Sequence, residues 1–194
     1  MGKGGDFERQ VSKDLTIWLT GKKKPYKFWR MPGSGGLATI HEENVDLSGD
    51  VRSLDSEGEF FTQIWSVECK NGYPKTSFWQ HFKNAKTFSI KLFWIQCCND
   101  ADKSGKHPML VYRKKGRQPI VGISLNDVLI IDRIIDISHM SSISLNWGSE
   151  LSSVVFFDYK DFFEKIKPDD MKEIFNNGHQ NNLVIIYQHL CLIK

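Results

Sequence analysis

The stretch at residues 47–70 sets the tightest condition on the fold. Within it Phe61, Trp65, Val67 and Cys69 share one parity, while Ile64, Ser66, Glu68 and Lys70 share the other. Successive side chains of a strand point to opposite faces, so Glu68 and Lys70 stand side by side on one face of a half-buried strand. A carboxylate and an ammonium at the end of an otherwise apolar strand are costly there unless they have partners or chemistry. Upstream, Ser48-Gly49-Asp50-Val51 reads as the start of a second strand, and Asp55-Ser56-Glu57-Gly58-Glu59 as a polar turn between the two. Pairing of these strands is expected to bring Asp50 to Glu68. Two acids beside a lysine are either a site for a hard divalent cation or a structural ion pair next to a solvated aspartate.

Charge is distributed to match the first option. The net charge is only +3, yet residues 1–40 hold eight Lys/Arg against three acids and residues 70–119 hold eleven against two. Residues 41–69, between them, carry eight acids and one arginine. An acidic island between basic blocks suits a metal centre flanked by polyanion-binding surface; unlike blocks that merely solvate the protein are the alternative. The 194 residues are enough for one domain with a real core. No run of about 18 apolar residues marks a membrane span, and no apolar signal core follows the N-terminus. Cys69, Cys97, Cys98 and Cys191 lack metal-ligand spacing and read as reduced thiols, which points to the cytoplasm.

Along the chain, Phe7, Val11, Leu15, Trp18 and Leu19 form the apolar stripe of a helix over residues 6–20, with Asp6 as N-cap and Gly21 as stop. At about 100° per residue Glu8 falls inside that stripe, between the directions of Leu15 and Leu19. Lys22, Lys23, Lys24 and Pro25 make a basic turn, and residues 26–30 a short strand. Pro32-Gly33-Ser34-Gly35-Gly36 is a glycine-rich loop of the kind whose N–H groups can approach a phosphate. Helices are expected at residues 77–87 and 89–104; Gln80 and Gln96 are polar positions on them. Strands are expected at residues 108–112 and 119–123, joined by the basic turn Arg113-Lys114-Lys115-Gly116-Arg117, suited to a backbone phosphate. Residues 128–137 read as a further strand, residues 151–157 as a strand leading into a helix at 159–166, and Pro168 as the start of a short helix. The apolar segment 183–193 is expected to dock on the core or on another subunit.

Gly5-Asp6-Phe7-Glu8-Arg9, Arg30-Met31-Pro32-Gly33-Ser34-Gly35-Gly36, Ser48-Gly49-Asp50-Val51 and Val67-Glu68-Cys69-Lys70 occur in this order. Trp94-Ile95-Gln96, Gly105-Lys106-His107-Pro108-Met109-Leu110-Val111-Tyr112 and Pro119-Ile120-Val121 follow. Together they resemble the PD-(D/E)xK nuclease superfamily, in particular the archaeal- and phage-type Holliday-junction resolvases, over roughly residues 3–123.

The resemblance implies an α/β, restriction-endonuclease-like core at residues 1–124, with a central mixed β-sheet flanked by helices. It implies that Asp50 and Glu68, with Glu8 directly or through water, hold Mg²⁺ or its substitute Mn²⁺; Cys69, inside the Glu-x-Lys motif, is counted with these ligands. Lys70 would act at the water or the phosphate, Ser34 would position the scissile phosphate and Gln96 would support the site. Branched DNA would lie against Arg9, Lys22, Lys23, Lys24, Arg30, Ser34, Arg113, Lys114, Lys115 and Arg117. A homodimer would make the paired cuts, in the host cytoplasm if the protein is of phage origin. Two features depart from the pattern. The connection from Asp50 to Glu68 is long, and residues 125–194, expected as an extension packed on the core or at a dimer interface, have no counterpart in it.

Overall fold

A computed structural model describes residues 3–31, 48–73, 76–79, 89–147 and 153–181. The Ser34 loop, Gln80, most of the helix expected at residues 77–87 and the apolar segment 183–193 lie outside them. The first element is helix α1 (Lys3–Thr20), followed by the short strands β1 (Phe28–Arg30) and β2 (Val51–Ser53). Helix α2 (Ser56–Ile64), strand β3 (Trp65–Asn71), helix α3 (Ser89–Ser104) and strands β4 (His107–Arg113) and β5 (Ile120–Ser124) come next. The chain continues through α4 (Leu125–Asp132), β6 (Ser142–Leu145), β7 (Val154–Asp158), α5 (Tyr159–Lys165) and α6 (Pro168–Asn181).

The main sheet has the order β3-β4-β5-β7-β6. β3 and β4 are parallel and the other pairs antiparallel. A parallel pair needs a long crossover, and α3 lies within it. The fold is therefore α/β with a mixed sheet flanked by helices. The pleat sorts the core cleanly. Val67, Met109, Val111, Val121, Ile123, Val155 and Phe157 face the side carrying α1, while Leu110, Tyr112, Val154 and Phe156 face α3. Gly122 faces α3 as well, and a Cβ there would meet Phe156 Cε1 at 2.5 Å, so the missing side chain is what lets that ring approach β5.

Helix α1 buries Phe7, Val11 and Leu15, each 1% exposed. Its two buried hydroxyls are accounted for. Ser12 Oγ donates to the Glu8 carbonyl at 2.9 Å and Thr16 Oγ1 to the Ser12 carbonyl at 2.9 Å. Thr16 Oγ1 also accepts from the amides of Lys27 and Phe28, which fastens β1 to the helix. Trp18 donates its indole N–H to the Ile166 carbonyl at 2.9 Å and packs edge-on against Phe61 and Phe163.

Several expectations are corrected. Asp6 does not cap α1, which begins at Lys3, and it sits in the first turn. β2 and β3 do not form a hairpin: β2 pairs antiparallel with β1 in a separate two-stranded sheet. The polar turn between them is instead the start of α2. Asp55 is its N-cap, accepting from the Glu57 amide at 3.1 Å, and Gly58 and Phe61 are its buried positions. Phe61 is thus a helix residue that falls on the strand's parity by coincidence. Residues 128–137 are not a strand either. Ser124 caps α4 by accepting from the Asp127 amide at 3.1 Å and donating to the Asp127 carboxylate at 2.6 Å. That reciprocal cap overrides the β-branched content of the run. α6, expected to be short, runs 14 residues.

Phe61 is fully buried where α1, α2 and α5 meet. Phe61→Ala is expected to cost about 3–5 kcal/mol, read as a lower denaturation midpoint with an unchanged slope against urea.

Candidate active site

Sequence makes Gly49 the pivot of the site. Its φ is +88°, a region that side chains rarely adopt, and a Cβ there would meet Val67 N at 2.9 Å and Val67 O at 3.0 Å. This close approach lets the next residue bond to the free edge of β3. Asp50 N–H donates to the Val67 carbonyl at 2.6 Å, and Asp50 Oδ2 accepts from the Cys69 amide at 2.8 Å. On the other side the Met31 amide donates to the Asp50 carbonyl at 2.8 Å, carrying the registration on to β1. Asp50 is only 5% exposed.

Glu68 and Lys70 project from β3 toward α3, as their parity requires. Lys70 Nζ lies 2.5 Å from Glu68 Oε1. Gln96, on the facing surface of α3, closes a triangle: its Nε2 donates to Glu68 Oε1 at 3.1 Å and its Oε1 accepts from Lys70 Nζ at 2.9 Å. Gln96 thus reads both charges at once, since an amide offers a donor and an acceptor.

Burial pushes the Glu68 carboxyl up to about 7, and the Asp50 charge pushes in the same direction, against the opposing pull of Lys70. The Lys70 ammonium is opposed by burial, yet Glu68 and then Asp50 outweigh that and hold it above the ordinary lysine range. Glu8 enters from α1. Burial and then the Asp50 charge raise its carboxyl, while Arg30, with Nη1 3.4 Å from Glu8 Oε2, pulls it down. Glu8 and Glu68 therefore both sense Asp50 at the edge of β3. Among the described residues no three His, Cys, Asp or Glu side chains form a cluster that could by itself hold a metal ion. A Mg²⁺ site of one or two carboxylates completed by water and substrate phosphate needs no such cluster, and Asp50 with Glu68 fits that description.

Cys69 serves the site through its amide. Its thiol packs in the core on the α1 side, and burial with the nearby carboxylates pushes it well up, so it stays protonated. Cys69, Cys97 and Cys98 are not in disulfides.

The basic residues divide into two groups. Arg9 pairs with Asp6, Arg30 with Glu8. Arg113 is committed to the fold: its guanidinium carbon sits 4.2 Å from the Phe7 ring centroid, and it donates to Asn71 and Gln10. Lys22, Lys23, Lys24, Lys115 and Arg117 are exposed, and Lys114 is half-buried. A cleft of about 880 Å³ lies elsewhere, between α1, the β4–β5 turn and α5. Its lining mixes Asp14, Asp158, Asp161 and Glu164 with Arg113, Arg117, Lys160 and Lys167, so it shows no strong preference of charge.

A family model described as "Phage putative PDDEXK endonuclease" matches residues 1–173. The chain belongs to that family. The match runs through β6, β7 and α5 into α6, so the segment without a counterpart in the resolvase resemblance is largely part of the PDDEXK endonuclease pattern itself. No curated protein and no solved structure matches the chain. None of the described helices is long and apolar enough to cross a membrane.

Two outcomes follow for the metal-free PDDEXK protein. Gly49→Ala forces the Asp50 loop off the β3 edge and is expected to cost about 1–3 kcal/mol, seen as a lower melting temperature. Glu68 holds its proton more tightly folded than unfolded, where it titrates near 4.5. Its contribution to stability is thus complete below about 4.5 and lost as pH rises through about 7. In EDTA the denaturation midpoint should fall across that window, and Glu68→Gln should flatten the decline.

Proposed function

We propose that the protein is a Mg²⁺-dependent endodeoxyribonuclease selective for DNA structure, with four-way junctions as its substrate. The observation that carries the nuclease reading is the arrangement on β3: Asp50 fixed at the edge, Glu68 beside it, and Lys70 and Gln96 closing on Glu68. Membership of the endonuclease family supports it. The junction preference is supported by the order of the motifs.

Asp50 and Glu68 would hold the cation, Mg²⁺ or Mn²⁺, and Glu8 would reach it through water. The cation supplies Lewis acidity toward the phosphate and a more acidic bound water. When held there, the cation would balance the charge of Glu68 alongside Lys70. Lys70 stays an ammonium at neutral pH, since its proton is held above the ordinary range. Its role is therefore that of a donor, orienting the attacking water or neutralising charge that grows on the phosphate oxygens. One P–O bond forms to the water oxygen as the P–O bond to the leaving sugar oxygen breaks, with no covalent enzyme intermediate. Lys22, Lys23, Lys24, Lys115 and Arg117 would grip backbone phosphates without reading bases. Paired cuts at a junction require two sites, hence a homodimer.

Cutting of continuous duplex as a restriction or genome-degrading enzyme is the second reading, and a non-catalytic DNA-binding protein the third. Labelled four-way junctions and matched linear duplexes, each with Mg²⁺ or EDTA, separate them. Junction-only, EDTA-sensitive cleavage is expected, with Lys70→Ala slower by about 10²–10⁴-fold and Glu68→Ala inactive. Equal cutting of duplex removes the junction preference, and binding without product removes the nuclease.

A further inference from the structure

The face of β3 and β4 that carries Glu68 and Lys70 also carries a line of aromatic rings that catalysis does not use. Phe93, on α3, is its hub. The Phe93 ring centroid lies 4.7 Å from that of Tyr73 and 6.1 Å from that of Tyr112, and Lys70 Nζ stands 5.6 Å from it. Tyr112 is the direct partner of Lys70 in the parallel register, so their backbones are one strand spacing, about 5 Å, apart. Beyond Tyr112 the same face hollows into a cavity of about 250 Å³, walled by Thr76, Ile90, Trp79, Tyr112, Lys114 and Arg117. Trp79 is 74% exposed and Tyr73 44%, which is unusual for large rings in so apolar a neighbourhood.

Aromatic faces alternating with cations are what a single strand of nucleic acid needs: bases stack on the rings and phosphates meet the charges. A paired base inside continuous duplex cannot reach such rings without being unstacked, at a cost of a few kcal/mol, and a base already unpaired avoids that cost. The cavity is smaller than the usual drug-sized pocket of about 300–1,000 Å³, suited to one base and too small for a base pair. It lies over Tyr112 and Ile120, one and two strands across the sheet from Lys70, so that base would sit on the same face as the Glu68–Lys70 pair.

Resting on the nuclease reading, we infer that this cavity takes one unpaired nucleobase of the DNA, stacked on the exposed Trp79 ring above a floor formed by the buried Tyr112 and Ile90, with Lys114 and Arg117 on its neighbouring phosphate. Capture of that base selects branched or partly single-stranded DNA over continuous duplex. At a four-way junction, whose bases are all paired, it requires one pair at the branch point to open, which costs less there than inside continuous duplex.

The test uses full-length Glu68→Gln protein in EDTA, so that binding is measured without cutting. Three probes are compared: a duplex with an unpaired nucleotide at a branch, the same branch with an abasic residue at that nucleotide, and a continuous duplex. The intact branch is expected to bind about ten-fold more tightly than the duplex, the worth of one stacked base. The abasic branch and an added Trp79→Ala should each abolish that preference while leaving duplex affinity unchanged, and Trp79→Phe should retain most of it. Equal affinity for the intact and abasic branches, or an undiminished preference in Trp79→Ala, overturns the inference. Cleavage of the three probes by the protein with native Glu68 and Mg²⁺ keeps the two readings apart. No cleavage of any probe with the binding preference intact refutes the nuclease and supports the base site. Metal-dependent cleavage at equal rates on intact and abasic branches refutes the base site alone.

Discussion

Two hydrogen bonds across the free edge of β3 hold the rest of the site in place. An edge strand presents unpaired N–H and C=O groups, a liability that proteins usually cover. Here the edge is used. The Val67 carbonyl and the Cys69 amide, which another strand would otherwise engage, grip the Asp50 amide and carboxylate instead. The carboxylate is thereby oriented by backbone rather than by a rotamer, and only a residue without a Cβ at position 49 lets the chain come that close. The separate β1–β2 sheet is part of the same constraint. Its strands stop short of joining β3, and Met31 ties their end to the Asp50 carbonyl.

The electrostatic cost of this arrangement is carried by Glu68. It is nearly buried, faces Asp50 and is answered by one lysine, which does not fully offset burial and repulsion. Taking two charges out of water costs more than one ion pair usually returns. The pair is consequently poor evidence of a stabilising bridge and good evidence of a group waiting for more positive charge. Gln96 reinforces this point. An apolar residue there would remove a hydrogen bond from each member of the pair, whereas the amide keeps both in register without adding charge.

Local periodicity made much of the fold legible in the sequence. The α3 boundaries, the strands around Val111 and Val121, the α1 stripe and its Gly21 stop follow from patterns in which buried positions repeat at 3.6 or 2 residues. Pairing partners were not legible, because they depend on which edges remain free after the chain has folded back. Asp50 was expected next to Glu68 through a hairpin; it arrives instead as a loop residue on an edge, with α2 inserted in between. The capping role of Asp55 was available in the sequence as an acidic residue ahead of Ser56, but alternation read through it. Residues 128–137 misled for the opposite reason: β-branched content spoke for a strand, and the Ser124–Asp127 cap decided for a helix. The commitment of Arg113 to Phe7, Asn71 and Gln10 is a tertiary fact with no local signal.

The two faces of β3 and β4 divide their labour, so the proposed catalysis and base capture would share a small area. Odd-numbered positions of β3 face α1 and build the core, so the frame that orients Asp50 is rigid and dry. Even-numbered positions face α3, where Glu68, Leu110 and Tyr112 are buried and Lys70 is half-buried. A phosphate drawn to Lys70 and a base taken into the cavity over Tyr112 and Ile120 would then be served by strands in fixed register. The separation between cut and captured base would be set by the sheet spacing itself. Because that spacing varies little, a shift of the cut by one nucleotide would require a change in the loop at residues 76–79 rather than in the catalytic strand.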